Sequence, residues 1–409
     1  MVVINPLRFL ELMAAQSAIG ATPEGGLNRP TSSDDELRVR RWFADQAQQA
    51  GLDFRTDGAG NQSATLLSPD PAAKTLLIGS HLDSVPNGGR FDGALGVVVG
   101  LEVLLALKES EIPLPFHIEV VNFTGEEGTL RGLLGSAAMT GRLTPADLAT
   151  VRGGADALQA GLARLGLSTE SVLAAVRDFS SVLGYLEVHI EQGTRLERAN
   201  LNIGVVTGIV GVRSYWLTFT GQAAHAGTMP MADRHDALWG ASNLIQDARA
   251  CVMHDFQPGV VNFGSIHAEP GAFNIVPAQV RMALEFRHGD AATLEAMQIA
   301  LFALIHQNAE KYGLSSIIDS AGLVPPALMS EPLVALIEQA AADCDLTHTR
   351  LMSFAGHDAQ SLANVTPSVM FFVPSINGIS HNPAEDTSPE DCMHAAEVML
   401  RAVLRLADG

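Results

Sequence analysis

Cysteine is scarce: Cys251, Cys344 and Cys392 are the only three among 409 residues, odd in number, far apart and with no CxxC pair. Neither a disulfide framework nor a zinc knuckle can be built from them, and they read as reduced thiols of an intracellular protein. Positive charge is also short, with 25 Lys and Arg against 45 Asp and Glu and a formal net charge of −20. A surface of that sign repels phosphate backbones and anionic bilayers, so nucleic acid and membrane are not expected partners. Long apolar runs are missing as well. The most tempting, residues 95–107, carries Glu102 and two glycines and is too short to span a bilayer. The first residues, Met-Val-Val-Ile-Asn-Pro-Leu-Arg, lack the pattern of a signal peptide, and a cytoplasmic location is expected. Low-complexity segments and internal repeats are absent. What is present is 47% hydrophobic residues with 17% charged. That supports a large core, excludes a disordered chain, and at this length suggests two to three domains.

Strands and helices alternate along the chain, which indicates an α/β layer architecture. Asp34-Asp35 caps a helical run ended by Gly51, and residues 75–78 are a strand leading into Gly-Ser-His-Leu-Asp. Residues 93–108 form a helix apolar almost all round and therefore internal. A strand over 116–123 ends in Thr-Gly-Glu-Glu-Gly, residues 142–180 are Ala/Leu-rich and helical, and 184–192 is a strand containing His189. From about residue 212 the texture changes to a β-α-β-β-α run, enough for a small ferredoxin-like module. The expected organisation is a catalytic domain of residues 1–211 and 329–409, interrupted by an inserted α+β domain of residues 212–328.

Polar residues gather where strands end, which is where such sheets place their chemistry. His81 and Asp83 are two apart and face one side of an extended segment; a carboxylate beside an imidazole is the usual partner of a metal-ligating histidine. Asp92 arrives at a helix start from a glycine-rich loop. Glu126 and Glu127 are adjacent between glycines and repel each other unless a cation or a shared proton relieves them. Glu187, His189 and Glu191 share one strand face, and His381 follows a glycine-containing loop. Each feature alone is commonly structural: a polar strand end, an N-cap, a solvated acidic turn. Together, His81, Asp92, Glu127, His189 and His381 offer three imidazoles and two carboxylates without a thiolate, a set suited to Zn, Mn, Co or Ni. Five ligands exceed the three of one catalytic zinc and suggest two metals bridged by a carboxylate and a water.

The order of GSHLDS, NGGRFDGALGV, NFTGEEG, EVHIEQG, GQAAHAGTMPM, FNIVPAQV, EFRHGD and GISHNPAED resembles the hydantoinase/carbamoylase branch of the aminoacylase-like dinuclear metallohydrolases. That branch holds N-carbamoyl-L-amino acid hydrolases, allantoate amidohydrolase and β-ureidopropionase. The resemblance spans essentially the whole chain. It implies a mixed-sheet metallohydrolase domain with an inserted ferredoxin-like lid that also forms a homodimer interface, and two divalent metal ions per subunit. By the same resemblance His81 and His189 would hold one metal, Glu127 and His381 the other, and Asp92 would bridge them. Asp83 would orient His81, and Glu126 would be general base and acid. His189 stands where the peptidase relatives usually carry an acid. His225 would stabilise an oxyanion, on its own or the partner subunit's site. Asn274 and Arg287 would hold a substrate carboxylate, and Gln192 would lie near the ureido group. Leu284-Glu285-Phe286-Arg287 departs from the Asp-Ile-Arg-like run frequent in the family but keeps the arginine.

The reaction so implied is hydrolysis of a small anionic ureido substrate, an N-carbamoyl amino acid, to amino acid, CO2 and ammonia. Residues 84–92 read like the carbamoylase version of their loop, so allantoate and β-ureidopropionate rank as alternatives. An aminoacylase or dipeptidase of the same superfamily is a further alternative, as is a binding protein that kept the fold. His357-Asp358 resembles a branch motif near the site without an assigned role. His235, His254, His267, His288, His306, His348 and His394 are read as structural.

Overall fold

The computed structural model describes residues 2–408, which form two compact units. Among the described residues the first comprises 2–207 and 328–408, the second the intervening 208–327.

The first unit is built on a nine-stranded mixed sheet. Its central strands lie in the order Gln62–Leu66, His117–Phe123, Thr75–His81, Val182–Ile190, Ser368–Val373 and Ile203–Ile209. The four in the middle are mutually parallel, and the outer two run antiparallel to their neighbours. Strands buried on both faces read as continuous apolar runs, as in Leu76-Leu77-Ile78 and Val369-Met370-Phe371-Phe372. The helix Ala94–Ser110 lies between sheet and outer helices, buried all round as its composition required. Its one charge inside this apolar run, Glu102, is fully buried and accepts two hydrogen bonds from Arg8, at 2.7 and 2.8 Å, and one from the N–H of Asn5.

Several local expectations are corrected. The helix Asp34–Gln49 is capped by Ser33, whose hydroxyl accepts the Glu36 N–H; Asp34 and Asp35 occupy the first turn, where negative charge suits the helix dipole. Residues 142–180 break into Pro145–Ala149, Gly154–Arg164 and Thr169–Leu173, because capping boxes at Thr144 and Ser168 and left-handed glycines at 153 and 154 restart the chain. The strand expected to reach residue 192 stops at Ile190. The helices Pro6–Ser17 and Pro389–Asp408 had been given no assignment from sequence.

The second unit is a four-stranded antiparallel sheet in the order Ser315–Val324, Gly211–Thr220, Gln279–His288, Val260–Glu269. The helices Ala237–Asp255 and Ala291–Lys311 pack on it around Leu217, Phe219, Met282, Phe286, Leu244 and Leu301. With Ser315–Val324, which the sequence pattern had not announced, the chain order is β-α-β-β-α-β, the split βαβ of ferredoxin-like folds. All three cysteines are free, and no helix among the described residues is long and apolar enough to cross a membrane.

Candidate metal centre

Parallel strands finish on one edge of a sheet, so Thr75–His81, His117–Phe123 and Val182–Ile190 deliver His81, the Glu126-Glu127 turn and His189 to the same side. Asp92 stands at the centre. Its Oδ1 is 3.1 Å from His189 Nε2 and 3.7 Å from His81 Nε2; its Oδ2 is 3.3 Å from His381 Nε2, which is 3.3 Å from Glu127 Oε2. The ligand atoms of His81, Asp92 and His189 lie within 4.8 Å of one another, as do those of Asp92, Glu127 and His381. Two ligand groups therefore share one carboxylate.

The tautomers support this reading. His81 Nδ1 lies 3.1 Å from the carbonyl of Asp83 and His189 Nδ1 2.9 Å from that of Ile190. A carbonyl only accepts, so Nδ1 carries the proton and Nε2 turns its lone pair toward Asp92. The Gly93 N–H donates to His189 Nε2 at 3.0 Å, in the same sense. Gly93 has φ +64°, and a Cβ there would meet the His81 ring at 2.3 Å, so only glycine lets the Asp92 loop close on the imidazole. Lone pairs facing a carboxylate repel unless a cation lies between them. Burial lowers His189, but the hydrogen bond and charge of Asp92 outweigh it and carry the ring up to about 9. A proton on Nε2 would collide with the Gly93 N–H, so a neutral ring beside a bound cation fits this geometry better. His81 goes the other way: burial prevails over Asp92 and takes it down to about 4.

Asp83 ties the pieces together. It accepts the N–H groups of Glu126 at 3.2 Å and Glu127 at 3.3 Å and the Thr31 hydroxyl at 3.2 Å, and sits 3.6 Å from His81 Nδ1. Burial pushes its carboxyl up to about 6. Glu126 Oε2 is 3.6 Å from His81 Nε2. Burial first, then the charges of Glu127, Asp358, Asp83 and Asp92, hold Glu126 well above the usual carboxylate range. Glu127 is raised for like reasons, burial and then Asp92 and Asp83. Burial would raise Asp92 too, but the imidazoles of His189, His381 and His81 beside it hold it well below. The set is a metal-binding site by donor chemistry: imidazole lone pairs and crowded carboxylates converging on one point.

Gln192 lies past the strand end at φ +55° and donates to Asp92 Oδ2 at 2.9 Å and to Ser380 Oγ at 3.2 Å. Glu191, expected to share the face of His189, turns away and caps the N–H groups of Arg195 and Leu196. The sequence reading missed Glu385. Its Oε1 accepts the N–H groups of Phe91 at 3.1 Å and Asp92 at 3.0 Å, and its Oε2 accepts the Ser380 hydroxyl at 2.9 Å. One carboxylate thus joins the Asp92 loop to the His381 loop. Its only signal was position, four residues after His381, and an irregular loop gives no periodicity to say it folds back. His357 packs its ring edge-on to His189 at 4.6 Å and hydrogen-bonds Ser353 Oγ at 3.0 Å. Beneath lie two more buried acids, Asp358 and Glu187; the latter accepts from Ser80, Tyr185 and the Ala359 N–H.

Three expected site residues belong to the other unit. His225 is exposed on the two-residue strand Ala224–His225, paired with Ile275–Val276, and the Gly227 N–H donates to its Nδ1 at 3.1 Å. Its proton is therefore on Nε2, free to be donated outward. Asn274 is on the same ribbon, its carbonyl accepting the Ala226 N–H. Arg287 is on Gln279–His288 and pairs with Glu285 at 2.7 Å.

Residues 77–405 match the model of peptidase family M20/M25/M40. The chain is 36% identical to an N-carbamoyl-L-amino acid amidohydrolase of Geobacillus stearothermophilus, over 96% of each chain. It is 32% identical to an allantoate amidohydrolase of Escherichia coli strain K12, over 96% of this chain and 95% of that one. Its structure is similar to a hydantoinase/carbamoylase family amidase from Burkholderia multivorans, with TM-score 0.91 and 34% identity over 100% of this chain and 99% of that one. The chain belongs to the M20/M25/M40 peptidase family.

Proposed function

We propose that this protein is a metal-dependent amidohydrolase that cleaves the ureido C–N bond of N-carbamoyl-L-amino acids. The observation that carries the reading is a pair of ligand groups sharing Asp92, with Glu126 3.6 Å from His81. His81 and His189 would hold one divalent ion, Glu127 and His381 a second, and Asp92 both; Zn, Mn, Co and Ni suit these donors. Such ions supply Lewis acidity toward a carbonyl oxygen and toward water. Glu126 takes a proton from water as the water oxygen adds to the ureido carbon. It returns that proton to the amino nitrogen as the C–N bond breaks, and the released carbamate decomposes to CO2 and ammonia. A carboxyl raised by its surroundings is a base strong enough for this near neutral pH. Asp83 holds His81 and the Glu126-Glu127 backbone in place, and Gln192 faces the ureido group.

His225 donates from Nε2 to the oxyanion. Arg287 binds the α-carboxylate, which displaces Glu285, and the partner subunit's Asn274 assists. Within the inserted unit, however, the His225–Asn274 ribbon adjoins one end of Gln279–His288 and Arg287 is near the other. Gln279 and Arg287 are eight residues apart in regular register, roughly 26 Å along the strand. One small substrate cannot span that, so the two ends serve different active sites. A homodimer through residues 212–328, with each inserted unit as a lid, meets this requirement.

The test is ammonia release by Mn-, Co-, Ni- or Zn-loaded protein from N-carbamoyl amino acids, allantoate and β-ureidopropionate, beside hydrolysis of N-acetyl amino acids. Turnover of N-carbamoyl amino acids above the other ureides is expected. Turnover confined to N-acetyl substrates would overturn the reading.

A further inference from the structure

Beside the metal centre, and within the same unit, is a cavity of about 280 Å³ whose walls include Gln192, Arg195, Leu351, Met352, Phe354 and Phe372. We propose that this cavity receives the substrate's side chain and selects apolar, above all aromatic, ones. The assignment rests on the ureido-hydrolase reading and adds to it the class of amino acid accepted.

Two contacts tie the walls of the cavity to the reacting centre. Gln192 is a wall of the cavity, and its amide nitrogen is 2.9 Å from Asp92 Oδ2, so a molecule reacting at Asp92 lies one side chain away. Phe372 is a second, indirect link: its ring is 5.6 Å from that of His357, whose ring stands 4.6 Å from His189. The chemistry of the lining names the guest. Leu351, Met352 and Phe354 are only half-buried although apolar, and Met352 adds an adaptable thioether beside an aromatic wall. Such a concavity is completed by an apolar group that excludes its water. At the rim, the Arg195 guanidinium stacks 5.1 Å over Phe354 and donates to the Met352 carbonyl at 3.4 Å. Glu191, the acid on that rim, has both oxygens committed to backbone N–H groups. A fixed cation beside an aromatic face favours a neutral aryl guest and repels a lysine- or arginine-type side chain.

The experiment measures kcat/KM of the metal-loaded full-length enzyme on N-carbamoyl-glycine, N-carbamoyl-L-phenylalanine, N-carbamoyl-L-tryptophan and N-carbamoyl-L-lysine. Wild type should prefer the phenylalanine derivative to the lysine derivative by about 100-fold. Leu351→Trp, which fills the cavity, should lower the phenylalanine-to-glycine ratio about 100-fold. Met352→Ala, which enlarges it and guards against a folding defect in the first variant, should raise the tryptophan-to-phenylalanine ratio about tenfold. Arg195→Ala should raise the lysine-to-phenylalanine ratio by a like factor. Ratios that stay at the wild-type value in all three variants would overturn the cavity assignment while leaving the ureido reading intact. A wild type inactive on every N-carbamoyl amino acid would overturn the ureido reading, and the cavity assignment with it.

Discussion

Glu119 and Glu126 lie seven residues apart on one strand and the turn that follows it, and their surroundings differ in kind. Glu119 is buried yet receives Arg177 through two hydrogen bonds of 2.8 Å and Arg55 at 2.7 Å. Burial alone would raise its carboxyl, but the two guanidinium groups hold it below the ordinary value. Around Glu126, the acids Asp83, Asp92 and Glu127 crowd together with histidines, and among the described residues none of the four forms an ion pair with Lys or Arg. The same fold thus compensates one buried carboxylate with its own cations and leaves the others to cations from outside. The first arrangement holds the sheet together; the second is a site.

Each side of that contrast can be broken separately. The largest effect is expected from Glu126→Gln: a loss of about 10⁴-fold in kcat with bound metal, read by elemental analysis, unchanged. Retained turnover would remove Glu126 from the mechanism. His225→Ala should lower kcat about 10²-fold, again at constant metal content. On the structural side, Arg177→Met should cost about 3 kcal/mol in denaturant unfolding by leaving Glu119 short of a partner, with metal content unaffected. Because Glu119 is held below its ordinary value, the unfolded chain takes up its proton first as pH falls. The pair's stabilisation is therefore full above pH of about 4.3 and drains away below it, and Arg177→Met should flatten the acid limb of the stability curve. The smallest effect is expected from Glu385→Ala, which frees the Asp92 and His381 loops: metal affinity by calorimetry should fall roughly 10- to 100-fold. Glu385→Gln keeps one acceptor oxygen for the Phe91 and Asp92 N–H groups and should fall less.

Much of this was legible in the residues because it was local. His81-Leu82-Asp83, Glu126-Glu127 and the glycine-rich approach to Asp92 each pair a reactive side chain with a strand end, and strand ends can be read from apolar runs. The helix Ala94–Ser110 was legible for a similar reason, since nearly every residue in it is apolar. Glu385 was not, nor were the partners of Glu187 and Asp358, which the sequence placed on the His189 face and in a motif near the site. Their partners are distant in sequence, as Glu385 is from Asp92, and nothing in an acid's neighbours along the chain says which N–H or hydroxyl it will meet. The strand Ser315–Val324 escaped because its exposed and half-buried residues alternate without a strong apolar face.

By itself, then, the order of residues pointed to the candidate ligand types and the two-unit plan through short-range pattern, and to the family through a resemblance that runs along the whole chain. Tertiary structure alone decided that Asp92 gives one oxygen to each ligand group, and that Nε2 of His81 and His189 is the atom presented. It also decided that the His225 ribbon and Arg287 lie toward opposite ends of Gln279–His288, and that Gln192 both donates to Asp92 and forms a wall of the neighbouring cavity. Those facts depend on which strand edges and loops are brought within a few ångströms, and pairing across hundreds of residues is fixed by the packing of the whole sheet rather than by any segment of it.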